Sequence, residues 1–493
     1  MADHPLDPLF HPRSVALVGM PRDVEARGSG FFHALLDQGY PDHHPLYLVN
    51  PNATVIAERP CYPTLLDCPG PVDHVISLVP ARAAGALVDQ CVAKGVRTLH
   101  LYTAGFAASG DAELAALEQA LVARANAGGV RVIGPNCMGL YVPAEGLAFY
   151  EELPRESGPV FGISQSGGNA GDIIRGLAER GLRFSKLVSF GNGRDVAAAE
   201  LFAYAAADDE SRLVVAYLEG VPDGPALFRA LRACARTKPT IVLKGGVSRA
   251  GARAVSSHTA SLAGATEVFD ALCRQAGAIR VDTMDELQDL AVLLSTQARR
   301  IDGARALLVG RGGGFSVLST DEIARHGIDL PELPPEAQRV LREHIPIAGN
   351  SIRNPLDVSS LSGESGRAMH TVLRVAATTP GYDFMFATPD SAPARRGEAV
   401  RRAAFGTPPP DDARAREQER RALAELAELQ AEHARPVVVV RRNRGAELAP
   451  DAELLRSALD AGLAVIPSVP RAARAVGLLL RWRAARTGLP SIF

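Results

Sequence analysis

The chain has 493 residues, with 53 Lys and Arg against 55 Asp and Glu, a formal net charge of -2 and 47% apolar content. That length exceeds one hydrophobic core and implies two to four domains, while the balanced charge leaves no electrostatic footprint for nucleic acid. No run of 18 apolar residues offers a membrane span, and the six cysteines (Cys61, Cys68, Cys91, Cys137, Cys234, Cys273) lack C-x-x-C spacing, so neither a metal site nor a secreted disulfide framework is expected.

Residues 14–18 form an apolar run ending at Gly19, and helical periodicity begins after Gly28, Ser29 and Gly30, which reads as strand, glycine-bearing loop and helix. Strand-like runs follow at 46–49, 74–79, 98–102 and 130–133, with helical patterns at 81–94 and 111–127 between them. Such alternation predicts a parallel sheet with right-handed crossovers, so residues 1–145 read as a Rossmann-type nucleotide-binding domain whose ligand lies beyond the carboxyl ends of the strands. Gly19 to Gly30 does not fit G-x-G-x-x-G, however, and the second strand ends in Asn50, Pro51 and Asn52 where a dinucleotide site offers Asp or Glu to the ribose. A nucleotide with a phosphorylated ribose, such as coenzyme A, suits that edge better than NAD. The turns at Val79 and Pro80, at Thr103 to Phe106 with Gly105, and at Gly134 to Cys137 with Asn136 all follow strands and are expected at the same edge, or else are merely tight turns.

A second alternation spans 146–300. Its first strand, 159–163, leads into Ser164-Gln165-Ser166-Gly167-Gly168 and a helix over 169–180; hydroxyls and free N–H groups there make either an anion site or an ordinary helix cap. Strands at 186–190, 213–218, 240–243 and 278–281 and helices at 196–206, 225–236 and 284–298 complete it, with Glu219 at the carboxyl end of the 213–218 strand. A third alternation, 301–493, begins with a strand at 304–309, a glycine loop at 310–314 and a helix running to His326. Strands at 384–387 and 437–440 follow a helix over 367–377, and a solvated helix is expected over 415–432. His258 sits among Ser256, Ser257, Thr259 and Gly264, small neighbours that predict a reachable loop imidazole: one without special role, or one that attacks phosphorus and releases it near neutral pH.

The stretch Ser256-Ser257-His258-Thr259-Ala260-Ser261-Leu262-Ala263-Gly264 closely resembles the S-H-T-G-A-L-A-G signature of the NDP-forming acyl-CoA synthetases, relatives of succinyl-CoA synthetase. Pro12 to Ala16, Val49-Asn50-Pro51, Gly134-Pro135-Asn136-Cys137, Ser164-Gln165-Ser166-Gly167, Gly191-Asn192, Tyr217-Leu218-Glu219-Gly220 and Asn354-Pro355-Leu356-Asp357 follow the family order. The resemblance implies an α/β chain in which a Rossmann-type CoA-binding domain precedes two flavodoxin-like, succinyl-CoA synthetase-like domains. It further implies an alpha subunit of an acid–CoA ligase, cytoplasmic, acting on a small carboxylic acid with a separate ATP-grasp beta subunit, in an alpha2beta2 assembly, that carries the ATP/ADP and Mg2+ site. His258 would then be the phosphohistidine and Glu219 its carboxylate, with Ser164, Ser166 and Gly167 holding phosphoryl oxygens. Gly19, Gly28, Gly30, Asn50, Pro51, Asn52, Val79, Pro80, Gly105 and Asn136 would line the CoA site. Departures from the family pattern are Asn52 in place of a common lysine, Ala108 after the glycine turn, Gly168 and Asn169 at the anion helix, Ala260 and Ser261 beside the histidine, and Arg311 and Phe315 in the third domain. Two other readings are a CoA-binding paralogue without turnover and an NAD-dependent dehydrogenase.

Overall fold

The computed structural model describes residues 4–26, 28–107, 111–259, 266–297, 300–310, 312–346, 348–358, 365–389, 412–441 and 452–486; the side chains of 256–259, 365–368, 412, 414 and 415 lie outside that description. Met1–Gly176 with Arg183–Asp282 makes one compact unit, and Leu177–Leu182 with Thr283–Ser491 the other.

The first unit holds two sheets. In the first, β1 (Val15–Val18), β2 (Leu46–Val49), β3 (Val55–Ile56), β4 (Arg59–Tyr62), β5 (His74–Ser77), β6 (Thr98–Leu101) and β7 (Arg131–Ile133) lie in the order β3-β4-β2-β1-β5-β6-β7. Every pairing is parallel except β3 with β4. β1 is buried along its whole length, as a strand covered on both faces must be. The second sheet places β8 (Gly139–Tyr141), β9 (Val160–Ser164), β10 (Phe184–Ser189), β11 (Leu213–Leu218), β12 (Thr240–Lys244) and β13 (Ile279–Val281) in the order β13-β12-β11-β9-β10-β8. Only β8 runs antiparallel to its neighbour.

Sequence periodicity finds the long buried strands but misses the β3–β4 hairpin and β8, whose two to four residues are too few to show a period. It also reads Ser256 to Thr259 as loop, whereas they form the last turn of a helix, Arg249–Thr259. Small and hydroxyl-bearing residues weaken helix propensity without forbidding a helix, which this helix demonstrates.

What joins the two sheets is a close approach of main chains. The turn after β7 accepts N–H groups from the turn after β10, with Asn192 donating to the Pro135 oxygen at 3.0 Å and Arg194 to the Gly134 oxygen at 3.2 Å. Gly191 has φ +55, and a Cβ there would collide with the carbonyl oxygens of Pro135 and Asn136, so no other residue fits. Glu118, almost wholly buried, ties the same region together by accepting from Ala107 N, Arg194 and Asn192.

In the second unit β14 (Ala306–Gly310), β15 (Ser351–Ile352), β16 (Leu356–Asp357), β17 (Phe384–Ala387), β18 (Val437–Val440) and β19 (Ala464–Ile466) form a third sheet, order β15-β16-β14-β17-β18-β19. The Asp412–His433 helix, expected to be solvated, buries Leu423, Leu426 and Leu429 in that sheet's core. Its apolar residues recur three apart on one face, a pattern its high charge obscures.

Two buried histidines in the first sheet give the fold a pH dependence. The rings of His74 and His100 stack 6.4 Å apart; His74 Nδ1 lies 2.6 Å from Thr98 Oγ1 and His100 Nε2 lies 3.0 Å from the Cys137 oxygen. Burial, with a smaller push from His100, holds His74 down at about 3, and burial holds His100 at about 4. Unfolded histidine titrates near ~6.5, so below that pH the unfolded chain takes up protons that the folded chain refuses, and stability falls as pH drops toward 4. A His100→Gln variant should lose stability between pH 5.5 and 4.5 less steeply than wild type, by about 1.4 kcal/mol per pH unit. Urea unfolding at stepped pH measures this; parallel slopes would contradict a neutral buried ring.

Candidate active site

In the first sheet the strand order reverses at β1, between β2 and β5, and the loops that follow these strands meet there. Gly19, φ +87, ends β1 so close to the next loop that a Cβ would lie 3.0 Å from Val79 Cγ1 and 3.1 Å from Val79 N. The Val79 oxygen accepts from Thr103 Oγ1 at 2.5 Å, and the Thr103 oxygen accepts from Asn136 N at 3.1 Å. Four loops, after β1, β5, β6 and β7, are thus linked in series along one edge. Pro80 and Gly105 are exposed there, and Asn136 is half-buried with φ +58. Thr103 is the residue that sequence reasoning passes over, though its place between a strand end and Gly105 was in view.

Gly28 and Gly30 belong to a loop folded on itself. A Cβ on Gly28 would meet Pro21 at 3.0 Å, Ser29 N–H donates to the Ala26 oxygen, and Gly30 opens the Gly30–Asp37 helix with nothing within 4 Å of its Cβ position. Asn50 is engaged by its own surroundings: Nδ2 donates to the Met20 oxygen at 2.8 Å and Oδ1 accepts from Asn52 N at 2.8 Å. Pro51 and Asn52 are exposed at the turn.

In the second sheet the order reverses at β9, and the turn at its end starts the Gly167–Glu179 helix. Ser164 is buried; its hydroxyl donates to the Ser166 oxygen at 2.7 Å and accepts Ser166 N–H at 3.3 Å, which shapes the turn. Ser166 Oγ accepts from Asn169 N at 3.4 Å. The N–H groups of a helix's first turn have no intrahelical acceptor and sit at the positive end of its dipole, so Gly167 and Gly168 present an anion cradle. Gly168 has open space where a Cβ would stand, while a Cβ on Gly167 would lie 2.5 Å from Met138 Cγ. Met138 follows the Asn136 turn directly, so the helix start adjoins the ligand edge of the first sheet.

Glu219 is brought beside this turn by Gln165, whose Oε1 accepts from both Glu219 N at 2.7 Å and Gly220 N at 3.0 Å. Lys244 Nζ donates to the Glu219 main-chain oxygen at 2.6 Å. Burial holds the Lys244 ammonium below the usual lysine range, against the pull of Glu219. The Glu219 side chain is 7% exposed; Oε1 accepts from Tyr217 Oη at 3.1 Å, and Oε2 is buried with no partner among the described residues. Burial first, then the Glu219 charge, pushes the Tyr217 phenol well up, so it stays protonated as the donor. A buried acceptor left without a partner costs about 1–3 kcal/mol, and its natural partner is a donor brought from elsewhere. Tyr217 was legible in principle, because residues two apart on a strand share a face. Gln165 and Lys244 needed the strand register, Leu218 beside Lys244 and Tyr217 beside Ser164.

His258 lies in the last turn of the Arg249–Thr259 helix, which follows β12, the strand next to β11 and Glu219; its side chain and residues 260–265 lie outside the described residues. In the second unit the glycine loop after β14 also opens a helix, Gly313–Arg325, but Gly312 N–H already donates to Asp357 Oδ1 at 2.8 Å.

Comparison with known proteins defines the class first. Residues 13–143 match the family model of the CoA binding domain and residues 157–294 that of the succinyl-CoA ligase like flavodoxin domain. The chain is 31% identical over 383 residues to the acetate–CoA ligase [ADP-forming] II subunit alpha of Pyrococcus furiosus, covering 78% of this chain and 82% of that one. It is 34% identical over 381 residues to acetate–CoA ligase [ADP-forming] I of Archaeoglobus fulgidus, where the match takes in 77% of this chain but 54% of the relative. A solved structure, dinucleotide forming acetyl-coenzyme A synthetase 1 of Ca. Korarchaeum cryptofilum in complex with phosphate and ADP, superposes with TM-score 0.78 at 27% identity over 99% of this chain and 98% of that one. The chain belongs to the ADP-forming acetate–CoA ligase family. No helix among the described residues is long and apolar enough to cross a membrane.

The double role of Gln165 is open to a stability test. Gln165→Leu would leave two buried N–H groups unpaired and should lower the unfolding free energy in urea by about 1–3 kcal/mol. A change under about 0.5 kcal/mol, the scale of an ordinary surface substitution, would contradict the clamp.

Proposed function

We propose that this chain is the alpha component of an NDP-forming acid–CoA ligase, which makes or cleaves an acyl-CoA thioester through an acyl phosphate and a phosphohistidine. The observation that carries the proposal is the buried Glu219 carboxylate, one oxygen held by Tyr217 and the other without a partner among the described residues, in the same compact unit as an open helix start and a four-loop nucleotide edge. The relatives' names point to a small carboxylic acid. The match to a named alpha subunit supports a separate ATP-grasp beta subunit, holding ATP/ADP and Mg2+, as partner.

Coenzyme A fits the first sheet's edge chemically. Gly19 leaves no side chain between the β1 and β5 loops, and Asn50 and Asn52 present no carboxylate to a phosphorylated ribose. When bound, it supplies the thiol that takes the acyl group. His258 takes the phosphoryl group on one ring nitrogen while the other donates its N–H to Glu219 Oε2, which fixes the tautomer and balances the ring's charge. Gly167 and Gly168 N–H groups, with Ser166, hold phosphoryl oxygens at the helix start, a contribution of about 0.3–2 kcal/mol from the dipole before hydrogen bonds are added. In the thioester-forming direction the phosphoryl passes from nucleotide to His258, then to a carboxylate oxygen of the acid. Sulfur then bonds to the acyl carbon and inorganic phosphate leaves. For this, His258 must leave its helical turn or carry that turn with it.

The test uses the full chain with its beta partner, γ-labelled ATP, Mg2+, CoA and a panel of acids. Wild type should take up label that is stable in alkali and lost in acid. His258→Ala should take up none and turn over at least ~1000-fold more slowly, and Glu219→Gln about 100-fold more slowly, with CoA affinity within about twofold in both. An active His258→Ala protein would contradict the proposal.

A further inference from the structure

The turn after β10 holds a side chain with one unused acceptor. Asn192 stands between two glycines of positive φ, Gly191 at +55 and Gly193 at +58, and its main chain is fixed on both sides. Its N–H donates to the Pro135 oxygen at 3.0 Å, Gly193 N–H to the Phe190 oxygen at 3.1 Å and Arg194 N–H to the Gly134 oxygen at 3.2 Å. The side-chain amide is fixed as well: Nδ2 donates to Glu118 Oε1 at 3.3 Å, and Arg194 Nε donates to the same oxygen at 2.7 Å. A carboxylate facing a guanidinium has no proton to give, so the amide turns its NH2 group to Glu118 and its oxygen away. That oxygen, Asn192 Oδ1, is buried and has no partner among the described residues.

Glu118 Oε2 also accepts from Ala107 N at 2.7 Å, in the loop after β6, and Pro135 belongs to the turn after β7. Asn192 thus sits where the second sheet meets the two loops of the nucleotide edge that follow β6 and β7. In the order β3-β4-β2-β1-β5-β6-β7 these lie on the far side of β1 from Asn50 and Asn52. Beyond them Met138 packs on Gly167, at the start of the anion cradle. Coenzyme A seated at the β1 reversal and reacting at that cradle must lay its pantetheine arm across these loops. The arm is uncharged and carries donors, two amide N–H groups, a hydroxyl and the thiol, which suit a neutral acceptor. Gly105, φ +89 with nothing within 4 Å of its Cβ position, leaves the loop after β6 without a side chain in the way.

We propose that Asn192 receives the pantetheine arm, its Oδ1 accepting a hydrogen bond from a donor of the arm while Glu118 holds the amide in the orientation this needs. The inference rests on the reading of the first sheet's edge as the coenzyme A site. The arm reaches the buried oxygen by displacing the exposed turn at Ala104 and Gly105. A buried acceptor without a partner is costly, and a donor that arrives with the ligand removes that cost, so the bond favours the bound state. A nucleotide that lacks the arm gains nothing from it.

The experiment compares wild type, Asn192→Leu and Asn192→Ala as full chains by calorimetry. Three ligands are titrated: coenzyme A, desulfo-coenzyme A, which lacks the thiol, and adenosine 3′,5′-bisphosphate, which lacks the arm. Both variants should bind coenzyme A about 5-fold to 50-fold more weakly than wild type, and the bisphosphate within about twofold of it. Asn192→Ala, which adds no bulk, carries the test should Asn192→Leu fail to fold. A loss shared by desulfo-coenzyme A assigns the donor to an N–H or O–H of the arm, and a loss confined to coenzyme A assigns it to the thiol. Coenzyme A affinity within about twofold of wild type in the variants, or an equal loss for the bisphosphate, would overturn the role of Asn192 while leaving the proposed function standing. A wild-type chain that binds neither coenzyme A nor the bisphosphate would overturn both.

Discussion

One amide oxygen organises this site. Gln165 Oε1 accepts two successive N–H groups, from Glu219 and Gly220, and the Gln165 main-chain N–H donates to the Tyr217 main-chain oxygen at 3.0 Å. These bonds stitch the turn at the end of β9 to the end of β11, so the anion cradle and the buried carboxylate move as one body. The parallel pairing of β9 with β11 brings the two strand ends together, and the Gln165 bonds hold the Glu219 main chain against the start of the Gly167–Glu179 helix. The proposed phosphoryl seat depends on that relation.

A second constraint brings the nucleotide edge to the same place. The turn after β7 must pass against the turn after β10, and the contact is close enough that position 191 excludes a side chain. Met138, next along, then lies against Gly167. The two sheets of the first unit are joined by main-chain hydrogen bonds and the buried Glu118 cluster, which suits the proposed reaction, in which a thiol must reach an acyl phosphate. The energetic cost of this arrangement sits in Glu219, whose second oxygen is buried without a partner among the described residues.

The strands of the first two sheets, with β14, β17 and β18 of the third, were largely legible from sequence because they are short apolar runs buried on both faces and bounded by Gly or Pro. The glycine turns after β1, β6 and β7 were legible too, since positive φ leaves few alternatives to Gly and Asn. Three things were not. The β3–β4 hairpin, β8, β15, β16 and β19, of two to four residues each, are too short for periodicity. The Arg249–Thr259 helix is built from residues that read as loop. Gln165, Thr103 and Lys244 owe their importance to partners 54, 24 and 25 positions away, and only the strand register brings such partners together. His258 could be singled out by its neighbours and by the family signature, yet its carboxylate was inferred only as lying at a strand end. The structure adds that Glu219 is buried, with one carboxylate oxygen held by the Tyr217 phenol.

The most direct test of the account is the structure of the phosphorylated complex. It predicts a nitrogen of the His258 ring within about 2.6–3.2 Å of Glu219 Oε2, with the phosphoryl group on the other nitrogen and its oxygens against Gly167 and Gly168 N–H. A phosphohistidine seated elsewhere, with Glu219 Oε2 still unpartnered, would contradict it.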